Sequence, residues 1–269
     1  MRVTPEQEMK PMTILANRRI IVTGGSAGFG LAMVEALAER GADITAIARD
    51  RTKLGAAQDA GAHTIAGDAT DAALIDRTVA AIDPDVLILN AGAHPRIAPI
   101  DQQDWDGFSA IWNTDVKATL VGIQAALKTP MRPGTRVLIM SSGAAMVMSH
   151  PAIEPRNLRL SGGYIGPKRM VWFMAHQANA VSCERALGIN FQVLVPGQLT
   201  AKTALGHAVA AACAKVEGCS VDEHILKRYG SHLQPSQVGR QVAELLVEPR
   251  YESGIAYGFR DGLEIMPVD

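Results

Sequence analysis

Along this chain, short runs of consecutive apolar residues alternate with longer runs in which apolar positions recur every three or four residues. The first pattern reads as a strand buried on both faces and the second as helix. Strands are predicted at Arg19 to Thr23, Asp43 to Ala48, His63 to Ala66, Val86 to Leu89, Arg136 to Met140 and Phe191 to Val195, with Gly254 to Tyr257 leading into a last one. Helices are predicted at Leu31 to Glu39, Lys53 to Ala60, Ala72 to Ile82, Trp105 to Leu127, Tyr164 to Arg185 and Gln237 to Val247. Strands alternating with helices imply parallel βαβ units. The expected class is α/β, a doubly wound parallel sheet in three αβα layers. Residues 1–17 read as a surface tail and 18–269 as one domain. Two long segments, about 149–163 and 198–235, break the rhythm, and loops that long in a compact domain are usually functional.

Composition narrows the function. The 269 residues carry 26 basic and 27 acidic side chains, a net charge of -1, which excludes binding to nucleic acid through bulk charge. Three cysteines form no disulfide framework and point to a reducing compartment. Cys213, Cys219 and His224 fit no zinc spacing, so no metal is expected. His207, His224 and His232 read as surface groups. The first seventeen residues lack an apolar targeting core, and no uncharged apolar run is long enough to span a membrane. A cytoplasmic protein is the expectation.

The first strand runs into Thr23-Gly24-Gly25-Ser26-Ala27-Gly28-Phe29-Gly30 and then a helix. Glycines here allow a sharp turn and close approach of a pyrophosphate, which would then face the helix N-terminus. Downstream come Gly67-Asp68-Ala69 after the third strand, Asn90-Ala91-Gly92 after the fourth, Ser142 after the fifth, Tyr164-Ile165-Gly166-Pro167-Lys168, and Pro196-Gly197 after the sixth. This ordered set, from about Arg19 to Gly262, resembles the short-chain dehydrogenase/reductase family in its compact single-domain branch. The resemblance implies a Rossmann-like fold and a nicotinamide cofactor. Gly24, Ser26, Gly28, Phe29 and Gly30 would hold its phosphates, Asp68 and Ala69 its adenine, and Asn90, Ala91 and Gly92 the neighbouring sheet end. Tyr164, Lys168, Pro196, Gly197 and Thr200 would complete the cofactor site, with Thr203 a rival to Thr200.

The tip of the second strand bears on the nucleotide. A carboxylate there would accept from a ribose hydroxyl and repel a 2′-phosphate. Ala48 stands at that place and Arg49 follows, with Arg51 and Lys53 nearby. A guanidinium can fork onto a phosphate, so NADP(H) is favoured over NAD(H). Asp50, and Ala27 where many NADP-using relatives are basic, weigh the other way.

Tyr164 and Lys168 are four apart and share a helix face. Pro167 between them is tolerated if the helix starts near Tyr164, where amide donors have no helical partner. The family gives the tyrosine the acid/base role, the lysine that of cofactor anchor, and the serine that of substrate orienter. An ammonium beside a phenol favours the charged form of the latter and suits it to proton transfer. Ser142 matches the serine, and Ser141 is its rival.

Three features depart from the family. Asp115 falls where an Asn is usual on the long central helix, with Asn113 the alternative on another face; a pair between Asp115 and Lys168 is expected. The segment from Ser142 to Tyr164 is long, and its insert, His150 to Arg159, reads as a flap carrying Arg156 and Arg159. Val171-Trp172-Phe173-Met174 puts large apolar groups all round a helix, which suits the homodimer or homotetramer that the resemblance implies. The function expected is interconversion of a small-molecule ketone and a secondary alcohol. A C=C reductase or epimerase, and a nucleotide-binding sensor or scaffold without turnover, are the alternatives.

Overall fold

In the computed structural model, which describes residues 14–128, 130–149, 160 and 162–268 (147–149 by backbone only), the apolar runs assemble into one eight-stranded sheet. Its strands are β1 (Arg19–Thr23), β2 (Asp43–Ala48), β3 (His63–Ala66), β4 (Val86–Leu89), β5 (Arg136–Met140), β6 (Asn190–Pro196), β7 (Ala256–Phe259) and β8 (Met266–Pro267). The order is β3-β2-β1-β4-β5-β6-β7-β8, and every pair is parallel except β7 with β8. The order reverses direction between β1 and β4, the switch point at which doubly wound sheets open a crevice.

The helices are α1 (Gly28–Ala38), α2 (Gly55–Asp59), α3 (Ala72–Ile82), α4 (Trp105–Ile111), α5 (Lys117–Lys128), α6 (Ile165–Glu184), α7 (Ala204–Glu217), α8 (Val221–Tyr229) and α9 (Pro235–Val247). Two apolar clusters sit on opposite faces of the sheet. One joins α1 and α9 to β1 through Ile20 and Val22; the other joins α3, α5 and α6 through Ile21. Alternate residues of β1 thus serve opposite layers, as strand pleating requires. All residues of β4 and β5 are buried, which is why these strands read as unbroken apolar runs.

Several expectations need correction. The helix expected over Trp105 to Leu127 is three pieces, because Trp112–Val116 forms a π turn between α4 and α5. The end of the expected surface tail enters the core: Leu15 is 4% exposed, and its N–H donates to the Arg40 carbonyl. Segment 198–235 holds two helices. One is α7, within which the Ala-rich stretch His207 to Ala214 already reads as helix in the sequence; the other, α8, goes unread there, although Ser220 and Glu223 cap it reciprocally, a pattern visible in the sequence. β8 adds an antiparallel edge that no apolar run announced. Among the described residues no helix is long and apolar enough to cross a membrane.

Close packing of α1 on α9 anchors the layer behind β1. A β-carbon at Gly239 would stand 2.1 Å from the Ala32 carbonyl oxygen. Gly239→Ala must push the helices apart, and overpacking of this kind costs about 1–3 kcal/mol. We expect a lowered urea midpoint with an unchanged slope.

Candidate active site

Parallel pairing brings the C-terminal ends of β1 to β7 to one edge of the sheet, and the loops leaving them gather most of the expected site residues. Thr23, the last residue of β1, ties two of these loops together. Its buried hydroxyl donates to the Ile88 carbonyl and accepts from the N–H groups of Asn90 and Ala91. The Asn90 side-chain amide returns to the carbonyls of Thr23 and Gly24. Sequence reasoning gave Asn90 a sheet-steadying role but missed Thr23 as its partner.

The turn after β1 is shaped for a group pressed against backbone. Gly24 and Gly28 have φ of +69° and +56°, a region that L side chains rarely occupy. A β-carbon on Gly30 would lie 2.0 Å from the Gly24 carbonyl oxygen. The N-cap residue of α1, Ala27, provides no side-chain hydrogen bond, and the first turn holds no acidic residue. An uncapped helix start with free donors attracts an anion. Ser26 is half-buried in the turn, and Phe29 packs against the core. Thr203 stands beside Gly28, 3.6 Å from where a β-carbon would be.

At the tip of β2, Arg49 is exposed. The Asp50 carboxylate accepts from the amides of Thr52 and Lys53 and lies 3.6 Å from the Lys53 ammonium. Led by the Lys53 amide, these contacts hold its carboxyl below the usual value. After β3, Asp68 accepts from the Thr70 amide, which with the charges of Arg49 and Lys117 lowers its carboxyl likewise. Ala69 beside it is buried.

The buried centre is an ion pair. Asp115 Oδ2 lies 2.9 Å from Lys168 Nζ, with side chains 3% and 8% exposed. Asp115 sits in the π turn, where the Lys117 N–H reaches back to the Trp112 carbonyl. Its other oxygen accepts from the Ala93 N–H at 2.8 Å, so the carboxylate also pins the end of the Asn90-Ala91-Gly92 loop. A β-carbon on Gly92 would crowd it at 3.0 Å. The pairing expected from the sequence is therefore present. Asn113 is exposed and donates to the Ser109 hydroxyl instead.

Lys168 has a second partner, the Met140 carbonyl at 3.2 Å. Burial pushes its ammonium toward the neutral form, but the Asp115 carboxylate, with a smaller contribution from Tyr164, outweighs burial and holds it above the ordinary lysine value. Tyr164 is the N-cap residue of α6, so Pro167 falls in the first turn as expected. The Lys168 ammonium lies 5.8 Å from the Tyr164 ring centroid.

Structure separates the rival serines and threonines. Ser141 is buried, and its hydroxyl donates to the Lys168 carbonyl. Ser142 is half-buried, and its hydroxyl accepts from the Ala144 N–H. Thr203 caps α7, accepting from the Gly206 N–H. Thr200 is 3% exposed, and its hydroxyl oxygen has no partner among the described residues. A buried hydroxyl without a partner is costly unless a ligand satisfies it. Pro196 ends β6, and the Gly197 N–H donates to Phe259.

His224, expected at the surface, is 2% exposed and pairs with Glu217 at 3.0 Å. Among the described residues no cluster could hold a metal ion. The flap His150 to Arg159, with Arg156 and Arg159, lies outside the described residues.

The family model for short chain dehydrogenases matches residues 18–153. Gluconate 5-dehydrogenase of Gluconobacter oxydans is 30% identical over 52% of this chain and 59% of its own length. L-fucose dehydrogenase of Rattus norvegicus is 24% identical over 91% of this chain and 89% of its own. A short chain dehydrogenase of Burkholderia cenocepacia, solved in complex with NADP, superposes with a TM-score of 0.69 at 22% identity over 92% of this chain and 97% of its own.

The glycine turn, the uncapped α1 and the unsatisfied Thr200 hydroxyl suit a dinucleotide. We expect Gly30→Ala to displace the start of α1 and weaken dinucleotide binding by at least about tenfold, since even one lost hydrogen bond to a charged group is worth about 1.5–3 kcal/mol. Nicotinamide fluorescence titration measures it.

Proposed function

The chain belongs to the short-chain dehydrogenase family, NAD(P)-dependent oxidoreductases, and from that premise we propose that it interconverts a ketone and a secondary alcohol with NADP(H). The observation that carries this reading is the grouping of Tyr164, Lys168 and Ser142 at one end of the sheet. Tyr164 opens α6, and Lys168 lies one turn on with its ammonium near the ring. Ser142 leaves β5 beside Ser141, which is bonded to the Lys168 backbone.

In this reading a nicotinamide held at the site would be the source or the acceptor of the hydride. Tyr164 gives a proton to the carbonyl oxygen during reduction and takes it back during oxidation. The Ser142 hydroxyl donates to the same oxygen as charge develops there. Lys168 supports the tyrosine by its positive charge and helps hold the cofactor. The glycine turn and the start of α1 would hold the pyrophosphate, Asp68 the adenine side, and the Thr200 hydroxyl the nicotinamide side. Asp50 is satisfied by its own loop and Lys53, leaving Arg49 as the charge that favours a 2′-phosphate. The named substrates of the two curated relatives, a sugar acid and a sugar, are polyhydroxylated, so sugars, sugar acids, polyols and their keto forms, ketoses included, are the first substrates to screen.

Phe173, 57% exposed on α6, and Leu120, 45% exposed on α5, support a homodimer or homotetramer through these helices. A monomer mass by light scattering at micromolar concentration would overturn that assembly.

Tyr164→Phe should lower turnover by about a hundredfold or more, the range of a positioned proton carrier, while leaving NADPH affinity nearly unchanged. Arg49→Gln should weaken NADPH by about tenfold to about a hundredfold, the value of a charge-assisted bond, and spare NADH. Steady-state rates on the substrate panel and parallel titrations check both. Equal affinity for the two nucleotides in the unaltered protein would remove Arg49 from the argument. A fully active Tyr164→Phe would remove the acid/base assignment.

A further inference from the structure

Asp115 faces two donors. One carboxylate oxygen takes the Ala93 backbone N–H at 2.8 Å, and the other lies 2.9 Å from the Lys168 ammonium. An ionised aspartate accepts at both oxygens, whereas an asparagine has an acceptor on one side and a donor on the other. Asparagine could satisfy Ala93 only by turning its own N–H groups toward the ammonium. In this arrangement only a carboxylate accepts from both donors at once.

We infer that Asp115 is a positioning residue: it clamps Lys168 to the loop after β4 and keeps that lysine a permanent cation. The ammonium has three donors. Asp115 and the Met140 carbonyl take two of them, which leaves one for the cofactor and Tyr164. The functional half of this inference rests on the reading of Lys168 given above; the clamp itself does not.

The surroundings give Asp115 that control. Asp115 from the π turn and Tyr164 from α6 itself are the titratable groups acting on Lys168 among the described residues. β5 contributes the neutral Met140 carbonyl and the Ser141 hydroxyl, which is committed to the Lys168 backbone. Burial opposes the charge, and Asp115 makes the larger of the contributions that overcome it. Without its carboxylate, a lysine with a side chain 8% exposed meets the full effect of burial, which drives a lysine toward the neutral form.

The sign of the consequence follows from linkage. In the unaltered protein Lys168 is held above the ordinary lysine value, so its contribution to stability is complete at neutral pH and is lost as pH rises through the folded-state value. In Asp115→Asn the folded-state value falls below the unfolded one. The unfolded chain then binds more protons, and stability recovers as pH rises. The deficit of the variant is thus largest near neutrality and shrinks toward alkaline pH.

Urea unfolding of the unaltered protein and of Asp115→Asn, from about pH 7 to about pH 11, brackets the ordinary lysine value and tests this without any cofactor. We expect a gap in midpoint at the low end that narrows steadily at the high end. A gap constant with pH means that Asp115 is merely structural and overturns the inference. If Asp115→Asn does not fold, the double variant Asp115→Asn with Lys168→Met removes both charges. Its folding would show that the unpaired lysine was the fault, as inferred; its failure to fold would overturn the clamp.

NADPH titrations over the same range test the use of the clamp. Affinity of the unaltered protein should stay level, while that of Asp115→Asn should fall by about tenfold or more as one charge-assisted contact is lost. Absence of NADPH binding by the unaltered protein would reject the nucleotide reading and leave the urea result to decide the clamp. Parallel pH dependences of NADPH affinity in the two proteins would reject its functional use.

Discussion

Hydrogen bonding of β1 to β7 in one direction fixes where this molecule can work. Every strand then ends at the same edge, and every connection must cross back over a face of the sheet as helix. Residues far apart in sequence meet at that edge because the register allows no other arrangement. Thr23 reaches Ile88 and Asn90 because β1 lies beside β4, with Thr23 opposite Leu89. Met140 reaches Lys168 because β5 delivers its carbonyl to the start of α6. Once the sheet is formed, the positions of these side chains are largely settled.

The centre of that edge carries an opposing cost. Burying an ammonium costs several kcal/mol even after relaxation, and breaking a buried pair by removing one partner costs about 3–5 kcal/mol. The pair of Asp115 and Lys168 is therefore not a source of net stability to be added to the apolar layers. It is a cationic device that the surrounding packing sustains, since an apolar pair of similar volume would serve stability as well or better. Its presence in a layer made mostly of Val, Ile, Leu and Ala argues for work other than holding the fold together.

Much of this was legible in the sequence, for a physical reason. Central strands buried on both faces must be continuous apolar runs, so β4 and β5 were visible with their boundaries. The spacing of Tyr164 and Lys168, four apart, puts both on one helix face. What was hidden depends on which way a side chain turns after an element ends. Ser141 and Ser142 are indistinguishable as letters, but pleating sends the first inward to the Lys168 carbonyl and leaves the second half-buried at the loop. Thr200 and Thr203 separate only once α7 is seen to start at Ala204 and to take Thr203 as its cap. His224 looked exposed because α8 itself went unread; on that helix it faces inward and Glu217 satisfies its ring.

The π turn is the least legible element, and the site depends on it. A regular helix from Trp105 to Leu127 would advance at a constant angle per residue, and its apolar face would fix the direction of every polar side chain. The wide turn at Trp112–Val116 lets the helix change phase between α4 and α5. Ile111 on one side and Val121 with Ala125 on the other can then all be buried, while Asp115 turns toward Lys168 and Asn113 toward solvent. Propensity gives only a weak warning of such a turn: Trp112, Asn113, Thr114, Asp115 and Val116 are all poorer helix formers, but that disfavours helix in general without specifying a wide turn. The deciding term is tertiary: with Asp115 inside, an ammonium buried in a low-dielectric interior has a counter-charge, and without it that ammonium has none.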